Sequence, residues 1–63
     1  MKRNYEEARK KAGLRREEAC AKMHISIGTL MNWETGRTNP DANALRNMAE
    51  TYKVSADYLL GLV

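Results

Sequence analysis

Glycines at positions 13, 36 and 61, together with the Asn39-Pro40 pair, cut this chain into short pieces. That punctuation constrains its folding more than any other feature. Glycine supplies the left-handed backbone that ends a helix, and the residue before a proline is pushed out of helical conformation. Between the breaks, apolar residues recur at three- and four-residue spacing, and no stretch alternates as a half-buried strand would. The pattern predicts an all-α chain of five short helices.

The first helix is predicted to begin at a capping box, Asn4-Tyr5-Glu6-Glu7. There the Asn4 side chain accepts from the amide of residue 7, and Glu7 reaches back to the amide of Asn4. Tyr5, Ala8 and Ala12 share its inner face, and Gly13 ends it with Leu14 as the accompanying apolar contact. A second helix runs from about Arg16 to Met23, with Ala19, Cys20 and Met23 on one face; Arg15 sits where an oxygen-bearing cap is expected. Ser26 caps a third helix. Its pattern turns Leu30, Trp33 and Glu34 to one side and Ile27, Gly28, Met31 and Asn32 to the other. Asp41 caps a fourth, with Leu45, Met48, Ala49 and Tyr52 in the cleanest helical register of the chain. Val54-Ser55 opens a short fifth that carries Leu59 and Leu60 and stops at Gly61.

Length and composition narrow the function. Sixty-three residues leave room for a single domain, 1–63, around one small core. A lone cysteine excludes an intramolecular disulfide and fits a reducing, cytoplasmic compartment. The longest apolar run, Tyr58 to Val63, is far below the roughly 20 residues of a membrane span. Residues 1–11 lack the apolar segment of a secretory signal, so no membrane partner is expected. No phosphate-cradling glycine loop, carboxylate pair or base beside Cys20 is present. His24 has no companion ligands. Neither catalysis, a cofactor nor a metal is expected.

Charge is unevenly placed. The net charge is +3, but residues 1–37 hold nine basic groups (Lys2, Arg3, Arg9, Lys10, Lys11, Arg15, Arg16, Lys22 and Arg37) against five acids. Residues 38–63 hold two basic groups against three acids. The first half suits a polyanion; solvated helix faces account for the same pattern without one.

The connector between the second and third helices is only His24-Ile25-Ser26. So short a link forces a steep crossing, the helix-turn-helix unit, here about 16–35, and presents the second rod outward. The span from Leu14 through Arg37, with Trp33-Glu34-x-Gly36-Arg37, then Pro40 and Val54-Ser55-x-Asp57-Tyr58-Leu59-Leu60-Gly61, resembles the phage repressor/Cro-type helix-turn-helix (XRE) family. The resemblance runs from about Arg9 onward. It implies a lambda-repressor-like fold and a sequence-specific regulator, a repressor, that binds double-stranded DNA as a homodimer. Its recognition helix, about 27–35, would lie in the major groove.

The resemblance also assigns roles. Position 16 touches a phosphate in similar proteins, and Arg15 is its neighbour; the plain alternative is two solvated arginines. Positions 27 and 28 read bases there. Here Ile27 is suited to a thymine methyl, and Gly28 opens the helix end to phosphate. Asn32 suits adenine, or is an ordinary surface residue. Ser26 and Thr29 complete the contacts of that helix start. Arg37 meets phosphate from the following loop, with Thr35, Thr38 and Asn39 adding neutral hydrogen bonds. Met31 belongs to the same DNA-contact set; beside Ile27 it also makes an apolar patch that suits the alternative reading, a protein-interaction module such as an antitoxin or a regulator's partner.

Other departures concern structure. His24 replaces the family's turn glycine, which predicts positive φ. Ala19 and Cys20 replace a larger pair, so Met23, Met48 and Trp33 are expected to fill the space, with Cys20 inert and Trp33 in the core. Glu34 faces inward, where an unpaired carboxylate is costly; similar proteins carry an arginine on the first helix at position 9, so the resemblance implies Arg9 as its partner. The tail, Leu59 to Val63, holds more apolar groups than the core needs, and pairing with a second copy is the expected use.

Overall fold

Among the described residues, five helices follow in the order the punctuation predicts: α1 (Tyr5–Lys11), α2 (Arg16–Met23), α3 (Ile27–Glu34), α4 (Ala42–Tyr52) and α5 (Ala56–Leu59). A computed structural model describes residues 3–63; Met1 and Lys2, one of the basic groups counted above, lie outside the described residues. Among the described residues there is no strand. Among these same residues no helix is long and apolar enough to cross a membrane.

The helix starts divide into those made locally and those made by the fold. Ser26, Asp41 and Ser55 act as expected: each side chain accepts from the amide three residues on, at 3.2, 2.8 and 3.0 Å. Asn4 does not. Its backbone (φ −111°, ψ 32°) lacks cap geometry, and its side chain makes no cap bond. Its amide donates to Leu59 O at 2.9 Å and its Nδ2 to Tyr58 O at 2.7 Å. Asn4 therefore satisfies carbonyls at the end of α5, which outweighs a local bond in a sequence that reads as a capping box. Arg15 holds an extended backbone before α2, and Glu18 Oε1 accepts its N–H at 2.8 Å. The acid three residues into the helix does the capping that no oxygen at position 15 could do. That bond, first, holds the Glu18 carboxyl below its ordinary value.

Helix ends follow the same division. Gly13, Gly36 and Gly61 all take positive φ. His24 does so too, at φ 58°, as the turn requires. Lys53, also at φ 58°, ends α4 without any sequence mark. Asn47 Nδ2 adds a bond across the fold, donating to Met23 O at the end of α2.

The core is built from every helix. Tyr5, Ala8, Ala19, Cys20, Met23, Leu30, Trp33, Met48, Tyr52 and Leu59 are buried together, with Leu14, Ile25, Leu45, Ala49, Val54 and Tyr58 packed against them. Trp33 is core and Ala19 is sealed, with the two methionines in the same cluster. Two expectations fail. Ala12, expected on the face of Tyr5 and Ala8, is exposed at the C-cap just past the end of α1. Leu59 is wholly buried and is no part of a spare apolar tail; only Leu62 and Val63 stand out in solvent.

Candidate nucleic-acid interface

Burial of Leu30 and Trp33 fixes how α3 is rotated. With those two in the core, the opposite flank faces outward: Ile27 is 47% exposed, Met31 42%, and Gly28 is open. Asn32 is half-buried at the edge of this face. No other helix covers it. Glycine at 28 answers no internal need, since a Cβ there would meet nothing within 4 Å. Ser26 Oγ takes the amide of Thr29, and Ser26 O takes that of Leu30. The amides of Ile27 and Gly28 belong to the first turn, where helix geometry offers no carbonyl, so they point out beside the positive end of the helix dipole.

Several hydroxyls of the expected contact set are engaged internally. Ser26 Oγ and Thr29 Oγ1 lie 2.9 Å apart and are bonded to each other. Thr35 Oγ1 donates to Met31 O at 2.7 Å. The loop after α3 is tied down by Asn32 O, which accepts from the amides of Arg37 at 2.8 Å and Thr38 at 3.3 Å. Arg37 and Thr38 are thus held beside α3 with their side chains exposed.

The three arginines of the expected set differ in what else they do. Arg37 forms no ion pair among the described residues. Arg15 is exposed, with Glu17 and Glu18 at 3.8 and 3.6 Å. Arg16 is neither a plain solvated arginine nor a wholly available one. Its Nε donates to Glu34 Oε1 at 3.0 Å, and its Nη2 lies 3.5 Å from Glu6.

Glu34 is the hub of this arrangement. Its side chain is 1% exposed, and Arg9 Nε donates to Oε2 at 2.7 Å, as the inward register required. Arg9 also donates to Leu14 O at 2.9 Å. The bond to Glu34 raises the already high Arg9 pKa, so the guanidinium stays charged although buried. One carboxylate at the end of α3 is thereby held by α1 and by α2. The second arginine was not legible, because nothing in the spacing says that positions 16 and 34 meet.

Cys20 behaves as the small apolar residue expected. Its Sγ lies 3.6 Å from Ser26 O, and burial pushes the thiol pKa up, away from the reactive thiolate.

Against this geometry the comparisons with known proteins are decisive. Residues 6–59 match the sequence profile of the helix-turn-helix family. The chain belongs to that family. The helix-turn-helix chain is 41% identical over 59 residues to the HTH-type transcriptional regulator ImmR of Bacillus subtilis (strain 168), covering 94% of its own length and 46% of that protein. It is 37% identical over 54 residues to the HTH-type transcriptional regulator DdrOP3 of Deinococcus deserti (strain DSM 17065 / CIP 109153 / LMG 22923 / VCD115), covering 86% of itself and 42% of the relative. It spans somewhat less than half the length of these relatives.

Proposed function

We propose that this chain is a single helix-turn-helix domain that binds double-stranded DNA sequence-specifically and regulates transcription, as a repressor, in the cytoplasm. The observation that carries the reading is the outward flank of α3, with Ile27, Gly28 and Met31 exposed and Asn32 at its edge, bordered by Arg15 and Arg16 and by Arg37 in the loop held on Asn32 O. A helix so presented fits the major groove, and the bordering cations fit the phosphates on either side. The regulators ImmR and DdrOP3 favour the same reading by their names. One helix and a few phosphate contacts bind weakly, so two copies on a two-fold site, with half-sites roughly 34 Å apart, complete the proposal. Exposed Leu62 and Val63 supply apolar surface for that pairing.

Titration of labelled duplex at several salt concentrations tests it. Log K falls with log salt at about −0.9 per neutralised phosphate. A titration without binding would favour the protein-interaction module that exposed Ile27 and Met31 also suit.

A further inference from the structure

The C-terminal ends of α1, α2 and α4 open on one depression of about 470 Å³. It shares no residue with the cleft beside Ile27 and Met31. Lys11, Lys22 and Lys53, all exposed, form its rim. Its floor is apolar, made by half-buried Leu14 and buried Tyr52 with Ala12 beside them, and Thr51 adds a hydroxyl. Among the described residues no carboxylate lines it.

The rim charges have no internal counter-charge. Of the four described lysines, Lys10 pairs with Glu6 at 3.5 Å. The other three form no ion pair among the described residues, and all three line this cleft. An aromatic face holds Lys11 instead, with its Nζ 5.3 Å from the centre of the Tyr58 ring. A lysine near a helix C-terminus offsets the negative end of the dipole, which accounts for one on each helix. It does not account for three such ends meeting around a depression without acids, nor for Lys53. That residue stands at φ 58°, where the chain uses glycine at 13, 36 and 61. Position 53 accepts a crowded backbone and keeps an ammonium at the cleft. Three like charges around one depression repel each other, and a bound anion relieves that repulsion.

We propose that this cleft binds a phosphate-bearing small molecule with an apolar body, of which a nucleotide is the simplest kind. The phosphates take the three ammonium groups and the Thr51 hydroxyl, and the body lies on Leu14, Ala12 and Tyr52. A volume within the roughly 300–1,000 Å³ of small-molecule sites exceeds what a bare phosphate fills. The site is separate from the α3 face and stands whether or not that face binds DNA.

The probes are ATP without divalent metal, inorganic phosphate and octanoate, titrated into isotope-labelled protein at about 0.15 M salt and followed by amide NMR shifts. The expected result is saturable shifts with ATP at Lys11, Ala12, Lys22, Thr51 and Lys53, with a Kd below about 1 mM. ATP should bind at least about fourfold tighter than either other probe, the worth of one buried methylene. K53G separates a binding lysine from a charge that merely serves its helix. Its melting temperature rises as strain is relieved, while ATP affinity falls about two- to fivefold, the range of an exposed charge pair. K11Q/K22Q/K53G loses about tenfold or more. R46A, which removes an exposed cation outside the cleft, keeps the parent affinity.

Absence of saturation below about 10 mM ATP overturns the proposal. Parent affinity in both lysine variants overturns it, as does an equal loss in R46A, which would mark net charge alone. Shifts centred on Arg15, Arg16 and Arg37 would place ATP on the α3 face and end it. Phosphate or octanoate binding as tightly as ATP overturns the ligand class. A duplex titration whose salt slope flattens by about 0.9 per lysine in the triple variant would give the cleft to the DNA backbone instead.

Discussion

Arg9 and Glu34 meet at 2.7 Å across 25 residues of sequence, and both side chains are nearly sealed from water. A buried pair adds little over a well-packed apolar pair, but removing one partner strands the other charge. R9A and E34A should therefore each cost about 3–5 kcal/mol in denaturant unfolding. The double variant should recover part of that, with a coupling of roughly 0.5–3 kcal/mol. Arg16, whose side chain is 37% exposed, holds the same carboxylate from α2. Screening limits R16A to about 1 kcal/mol or less. Strictly additive losses for Arg9 and Glu34 would contradict the geometry.

His24 sits at φ 58° and ψ 46°, where a Cβ crowds the backbone and glycine does not. H24G should raise stability by about 0.5–1 kcal/mol, the relief of strain exceeding the extra freedom of the unfolded chain. In a domain this small, that is a rise in melting temperature of about 2–8 °C. Lys53, at φ 58° and ψ 47°, should respond in the same direction. A clear loss in H24G would mean that the turn is not left-handed.

Tyr52 buries its hydroxyl with no hydrogen-bond partner. Y52F should be neutral or stabilising by up to about 1 kcal/mol, since an unmet donor costs more than it contributes. Burial, and then the charge of Glu34, pushes the phenol from 10.0 up to about 12. A raised pKa means that the neutral form is the one the fold favours. Its contribution is complete below pH 10 and is lost as pH rises through about 12. Stability should fall by up to about 1.4 kcal/mol per pH unit in that window. The fall should be shallower in Y52F, as measured by unfolding midpoints at pH 9, 10 and 11 (about the ordinary phenol value). Cys20, also pushed up by burial, adds its own decline starting lower, and that part persists in Y52F.

Arg37 and Arg15 are exposed and outside the buried network. R37A and R15A should leave melting unchanged while each lowers DNA affinity. The slope of log K against log salt should flatten by about 0.9 for each phosphate contact removed. Arg16 should behave differently, losing stability as well as affinity, because its guanidinium also serves Glu34. An R37A protein that binds with the parent's salt slope would remove that residue from the interface.

Local chemistry was enough wherever one residue decides the backbone around it. Ser26, Asp41 and Ser55 cap their helices from within three residues, and Gly13, Gly36 and Gly61 adopt the only sign of φ that ends them cheaply. Periodicity placed Leu30 and Trp33 inward and Ile27 and Met31 outward, because rotation about a helix axis is set by its own apolar residues. An inward Glu34 demanded a cation, and the resemblance pointed to Arg9. The sequence was silent where two groups compete for one partner across the fold. Asn4 turns away from its helix toward Tyr58 and Leu59, Arg16 joins Arg9 on Glu34, and Leu59 enters the core instead of the surface. Each of these outcomes depends on a distance between elements, and that distance exists only once the helices have packed. Spacing along the chain determined what each helix presents; packing alone decided which of those groups meet.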